Sequence, residues 1–396
     1  MTQVKNVIER KERPKQSVSD NTGASRQQIL KQVQEDESSI GTFTSTTSLA
    51  GEKEPGFGLN PQLQQTRHQV KLSFQNDFLN KILILPVSKI KNMGKIFNNL
   101  IVWLLKALSH IPFPILYLKS DFFYLLVFYV FRYRRKVVYT NLRNSFPEKT
   151  EQEIDTIARK FYRHLCDLGL EAIKLHSISD RELDKRVTVK GIEKVEEYFR
   201  QQKSIILLGM HYNNWEWSAS LQRLASHQLL MIYNPVRDNF EMERFILDMR
   251  GRFGGISVPV HKSARFAIQF DKTERPGCLW LAADQTPFQT TKFWTTFLNQ
   301  ETPFFSGPEK IAYKTNQPVF FHHTKKIGRG KYEVNFIELF AEPSKKKPED
   351  ILLTYIDKME EVISETPEYW LWSHRRWKHK RPDDVEMIDR LPKNTP

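Results

Sequence analysis

The apolar run SIILLGM at 204–210 is followed at once by HYNNWEW, which sets His211 and Glu216 five positions apart. An imidazole whose one ring nitrogen is held by a carboxylate can take a proton from a substrate hydroxyl with the other, so these two residue types together spell general-base chemistry. The spacing constrains how they could meet. In one continuous helix a separation of five leaves side chains about 140° apart. The pair can cooperate only if His211 lies on a strand-to-helix turn and Glu216 in the first turn of the helix, with Asn213 or Asn214 as the N-cap. No nucleophile motif of the Gly-x-Ser-x-Gly kind accompanies them, so the nucleophile is expected to be a hydroxyl of the substrate and the reaction acyl transfer from a thioester to an alcohol. The bland alternative is a His satisfied in a loop beside a Glu on a solvated helix face. The spacing is not His-Glu-x-x-His, and no metal site is expected.

Other residues allow two readings each. Arg250 and Arg252 in RGRFG could bind an anionic substrate or simply face the negative end of a helix. Asp284, after GCLWLAA, fits a turn as well as a ligand site. The string WSHRRWKHKR fits a solvated cationic tail packed by Trp370, Trp372 and Trp377, or a surface for lipid phosphates.

From residue 187 onward, strand-like runs (VTVKG, SIILLGM, LLMIYN, GISVPV, GCLWLAAD, QPVFFHHT, YEVNFIEL) alternate with helix-like ones (IEKVEEYFRQQ, EWSASLQRLA, EMERFILDMRGRFG, SARFAIQFDK, GPEKIAYKTN, PEDILLTYIDKMEEVISET). This alternation predicts an α/β fold with a mostly parallel central sheet flanked by helices. Sites in such sheets gather beyond the carboxyl ends of the strands, where His211 falls. Before it, residues 151–176 repeat apolar side chains at Ile154, Ile157, Ala158, Phe161, Leu165 and Leu168, the one-sided pattern of a helix packed on a core.

Residues 1–92 are polar and rich in Ser, Thr, Gln, Gly and Pro, and a disordered extension is expected there. Composition shifts at Met93, which suggests a natural start at that residue. An apolar stretch at 96–118, interrupted by Lys106, His110, Pro112 and Pro114, precedes FFYLLVFYVF at 122–131 and the cationic RYRRK at 132–136. One imperfect transmembrane helix, a helical hairpin in the membrane interface, and a buried helix pair all remain open. The cations after the apolar run suit an anionic cytoplasmic leaflet. The expected organisation is therefore 1–92 extension, 93–136 membrane anchor, 137–382 catalytic domain and 383–396 tail.

The 396-residue chain has a formal net charge of +14. It must meet something anionic, whether nucleic acid, phospholipid or a phosphorylated substrate. Nucleic acid is disfavoured because no helix-turn-helix, zinc-finger or RNP-like string is present and the cations sit beside apolar anchors. Two cysteines, Cys166 and Cys278, exclude a disulfide framework and a Cys-rich zinc site, and fit a reducing compartment.

Four features in order, the apolar anchor, HYNNWEW, RGRFG with DQ at 284–285, and PEYWLWSHRRWK at 367–378, resemble the lysophospholipid acyltransferase superfamily and, within it, the lipid A biosynthesis (lauroyl/myristoyl) acyltransferase branch. The resemblance covers about Met93 to Pro382. It implies a glycerolipid acyltransferase-like αβα fold, with His211 as general base and Glu216 as its orienting partner. It further implies Arg250, Asp284, Gln285, Ser306 and Gly307 as substrate-binding residues. The implied acceptor is a lipid A precursor at the cytoplasmic face of the inner membrane. Acyl carrier protein or acyl-CoA is the implied co-substrate, with no cofactor, and an acidic carrier would suit the basic surface. FFSG at 304–307 is bulkier than the small, Thr-rich lead-in usual in that branch, so acceptor or acyl length is expected to differ.

Overall fold

In this computed structural model residues 95–390 are described, apart from 237, 238 and 272. The expected disordered extension, the proposed start at Met93 and the last six residues of the tail lie outside the described residues.

The central strand is β2 (Ile205–Gly209), whose five residues are all buried. It reads as an unbroken apolar run because helices cover both faces of the sheet. With β1 (Val187–Lys190), β3 (Gln228–Tyr233), β4 (Ile256–Pro259), β5 (Gly277–Ala282), β8 (Val319–Gly328) and β9 (Lys331–Phe340) it forms a seven-stranded sheet, ordered β1-β9-β8-β2-β5-β3-β4. Every pairing is parallel except β8 with β9. The expected mostly parallel sheet is thus present, and all seven strand-like runs lie in it. The antiparallel hairpin of β6 (Trp294–Phe297) and β7 (Gln300–Pro303) stands outside it and has no counterpart among those runs.

The 24-residue helix α4 (Glu151–Lys174) starts at a capping box, Thr150 accepting from the Glu153 N–H while Glu153 accepts from the Thr150 N–H at 2.8 Å. All six residues of its expected apolar face are buried. Ahead of it, α1 (Lys95–Ser109) and α2 (Phe113–Leu125) are joined by a short turn and each packs against α4, and α2 runs on as a π-helical turn through Val130. Pro112 and Pro114 open α2 instead of interrupting a helix, which is where proline's fixed φ and missing N–H are harmless. The reading of 96–118 as one imperfect helix is therefore corrected: the stretch is shared by two helices. Among the described residues, the one helix long and apolar enough to cross a membrane, by length and composition alone, is Phe113–Val130. The helix α3 (Arg135–Ser145) follows. The later helices include α7 (Phe240–Gly251), α9 (Gly307–Thr315) and α10 (Pro348–Glu365).

Candidate active site

Parallel pairing of β2 with β5 aligns Gly209 with Ala282. Two residues past that matched pair on each strand stand His211 and Asp284, side by side at the carboxyl edge of the sheet. Gly209 is required here, because a Cβ would come within 2.7 Å of the Trp280 ring. His211 Nδ1 lies 2.7 Å from Asp284 Oδ1, and the His211 backbone N–H donates to Oδ2 at 2.9 Å. Oδ2 also accepts from the Trp370 indole at 2.9 Å. Burial alone would raise the Asp284 carboxyl, but the adjoining imidazole and these hydrogen bonds hold it below its usual range. The carboxylate is 1% exposed and the imidazole 22%. With Nδ1 committed to Asp284, Nε2 forms no hydrogen bond among the described residues and is the nitrogen left to face a substrate.

Glu216 lies across the expected turn. Asn214 caps the 3-10 helix Trp215–Arg223, its Oδ1 accepting from the Trp217 N–H at 3.2 Å, and Glu216 occupies the first turn. Among the described residues no hydrogen bond joins its carboxylate to the imidazole, so the expected His211–Glu216 hydrogen bond is not formed here. Arg250, at the end of α7, holds it instead, with Nε to Oε2 at 2.9 Å and Nη2 to Oε1 at 2.6 Å. Bidentate geometry of this kind suits a guanidinium facing a buried carboxylate. Burial pushes Glu216 up, yet Arg250, with the nearby His211, keeps it below the ordinary value. Arg250 is likewise raised by Glu216 against its own burial.

The remaining predicted residues divide. Asp284 is enclosed by His211 and Trp370, so its contacts here are to the base and not to an open substrate groove. Arg250 directs the same two nitrogens to Glu216. Gln285 is half-buried next to Asp284 in sequence, while Ser306 and Gly307 open α9, and no hydrogen bond joins either to His211 among the described residues. Trp370 was not singled out as part of the site. Its string lies beneath the His loop: Leu371 N–H donates to His211 O at 3.1 Å and Asn213 N–H to Tyr369 O at 3.0 Å. Trp370, Trp372 and Arg376 are fully buried, so the string is a structural floor through Arg376, and the solvated-tail reading is corrected. Among the described residues no group of three or more His, Cys, Asp or Glu is placed to hold a metal ion.

A histidine held by a buried aspartate at the carboxyl edge of a mostly parallel sheet is the arrangement of a candidate general base in an α/β fold. The family described as bacterial lipid A biosynthesis acyltransferase matches residues 87–379. The chain belongs to that family and is an acyltransferase of lipid A biosynthesis with a lipid acceptor. It is 24% identical over 293 residues to the lipid A biosynthesis lauroyltransferase of Escherichia coli (strain K12), covering 72% of this chain and 91% of that protein. A lipid A biosynthesis acyltransferase of Haemophilus influenzae (strain ATCC 51907 / DSM 11121 / KW20 / Rd) is 23% identical over 242 residues, covering 59% of this chain and 72% of the relative.

Proposed function

We propose that the protein moves a fatty acyl chain from an acyl thioester, on acyl carrier protein or CoA, to a hydroxyl of a lipid A precursor, with His211 Nε2 as the general base. The observation that carries this is the 2.7 Å contact between His211 Nδ1 and buried Asp284, which fixes the tautomer and aims Nε2 outward. The acceptor oxygen bonds to the thioester carbonyl carbon as its proton passes to Nε2. Collapse of the tetrahedral intermediate breaks the carbon–sulfur bond, and the imidazolium returns the proton to the departing thiolate. Asp284 orients the ring. Glu216, set by Arg250, contributes a second buried negative charge that favours the imidazolium formed in the transition state.

The same reading puts α1 and α2 on the cytoplasmic face of the inner membrane as an interfacial element. The inner face of α2 is tied to the catalytic body by Ser120 Oγ to Asp167 at 2.7 Å and by the Asp121–Arg329 ion pair at 2.7 Å. Lys174 Nζ donates to the Ser109 and Ile111 carbonyls where α1 gives way to α2. The outer face carries exposed Leu100, Trp103, Leu104, Ile115, Leu118, Phe122 and Leu125, the pattern of a helix pair lying in the headgroup boundary. Exposed Arg132 and Lys136 adjoin this face, while Arg134 donates to Ser373 O at 3.0 Å and Arg135 sits 4.5 Å over the Phe128 ring. Anionic lipids and an acidic acyl carrier protein suit the basic surface.

The test incubates purified protein with acyl carrier protein or CoA thioesters and a panel of lipid acceptors, with His211→Ala as the blank. An ester-linked chain on a lipid A precursor, absent with His211→Ala, is expected. Transfer that survives His211→Ala defeats the mechanism, and transfer confined to another lipid defeats the acceptor assignment.

A further inference from the structure

Beneath the His loop lies a fully buried carboxylate that the mechanism above does not use. Glu171, on α4, is 0% exposed. Its Oε1 accepts from the Tyr117 hydroxyl of α2 at 2.9 Å, and its Oε2 from the Tyr332 hydroxyl of β9 at 2.6 Å. Oε2 also accepts from Asn214 Nδ2 at 2.9 Å, and the Glu171 backbone carbonyl accepts from the Trp217 indole at 2.9 Å. Burying a carboxylate carries a large desolvation cost, and a hydrophobic side chain would fill this position in α4 without it. Three of its four partners lie outside the neighbouring helix α2, and two of them, Asn214 and Trp217, flank Glu216.

The connection is specific. Asn214 uses both ends of its amide: Nδ2 to Glu171 and Oδ1 to the Trp217 N–H that starts the 3-10 helix. Asn213, left-handed at φ 50, donates to Thr324 O at 2.7 Å and leaves the loop little freedom on its other side. Moving Asn214 therefore moves the helix start, the Glu216 carboxylate and the Arg250 fork that depends on it.

We infer that Glu171 is a positioning residue for acyl transfer: through Asn214 it fixes the turn between His211 and Glu216, and through Tyr117 and Tyr332 it locks that turn to α2 and β9. The inference rests on the proposed function, and its action on turnover should exceed its action on substrate binding. A small displacement of catalytic groups is enough to cost orders of magnitude in rate.

The test compares steady-state kinetics of wild type, Glu171→Gln and the double variant Glu171→Gln/Asn214→Asp, with folding followed by circular dichroism. Glu171→Gln keeps one acceptor oxygen and puts an amide donor in place of the other, so either Asn214 or Tyr117 faces a donor where it had an acceptor. In the double variant the carboxylate introduced by Asn214→Asp accepts from that donor and still caps the helix, and the tyrosine hydroxyls can turn to suit. Glu171→Gln is expected to lower kcat at least about tenfold with KM for both substrates within about threefold, and the double variant to recover at least about threefold of the lost kcat. If Glu171→Gln does not fold, Asn214→Ser, which keeps a capping oxygen but loses the donor to Glu171, is held to the same kcat and KM thresholds. A kcat within about twofold of wild type, or a double variant no better than Glu171→Gln, overturns the inference alone. A wild-type protein inactive with every donor and acceptor overturns the proposed function and this inference together.

Discussion

At the scale of residues, the imidazole of His211 is defined by what Asp284 does to it. Replacing Asp284 with Asn keeps the shape but presents an amide donor to Nδ1, so the proton shifts to Nε2 and the base is lost. Asp284→Asn is therefore expected to lower kcat at least about 100-fold with the fold retained, measured by turnover beside circular dichroism. An Asp284→Asn enzyme with near wild-type kcat would show that Asp284 is only a turn residue. Glu216→Gln should be worse for folding than for orientation of the ring, because it leaves the half-buried Arg250 without its counter-charge, a loss of about 2–3 kcal/mol in denaturant unfolding. Unfolding free energy equal to wild type would contradict that account. His211, Glu216 and the Asn214 cap were readable from one short stretch because the turn between strand and helix is local. The partner of His211 was not, since Asp284 lies 73 residues away and reaches the ring only through the Gly209–Ala282 register. Charge type and spacing name a base, whereas strand pairing chooses the acid that orients it.

At the scale of elements, the helices and strands that were readable are those whose apolar residues repeat with one period, such as α4 and the central strands. The helix α3 was missed because its buried face is Val138, Asn141, Leu142 and Ser145, half of it polar. That polarity has a purpose: Asn141 Nδ2 donates to the Trp372 and His374 carbonyls, both at 2.9 Å, and clamps the floor under the site. Asn141→Leu should destabilise by about 2–4 kcal/mol, since it strands two buried carbonyls. A denaturant midpoint unchanged from wild type would remove that role. The hairpin β6–β7 was missed for a related reason, its strands being four residues each and carrying Thr, Gln and Glu. In the first turn of α9, Glu309 is 3% exposed with no hydrogen-bond partner for Oε2, and burial pushes its pKa from 4.5 up to about 8. Between those values the folded protein holds a proton the unfolded chain releases, so this group's contribution to stability falls as pH rises across the window. Glu309→Gln should therefore melt above wild type at about pH 8 and with it near about pH 4. A melting difference independent of pH would contradict this titration.

At the scale of the whole molecule, the sequence left spanning, interfacial and buried readings of the anchor open because an apolar run does not say which of its faces is occupied. Packing supplies that information: one side of α2 is committed to α4 and Arg329, and the other is exposed. A spanning α2 would have to withdraw Ser120, Asp121 and Tyr117 from their partners into lipid, where no water replaces the lost hydrogen bonds. A surface helix keeps them and buries only the outer face in the headgroup boundary. The two arrangements differ in depth. Ile115, Leu118, Phe122 and Leu125 all lie on the exposed side of α2 and are at least half exposed. Along a helix perpendicular to the bilayer, depth changes by about 1.5 Å per residue, roughly 15 Å from position 115 to 125. Along a helix parallel to the surface it hardly changes. Single cysteines at these four positions, spin-labelled and bound to vesicles containing anionic lipid, should report nearly equal depths of about 5–10 Å below the phosphates. The native Cys166 and Cys278 are buried and away from the reagent. A depth that climbs steadily through the bilayer from 115 to 125 would establish a spanning helix and require the packing of α2 against α4 to come apart in the membrane.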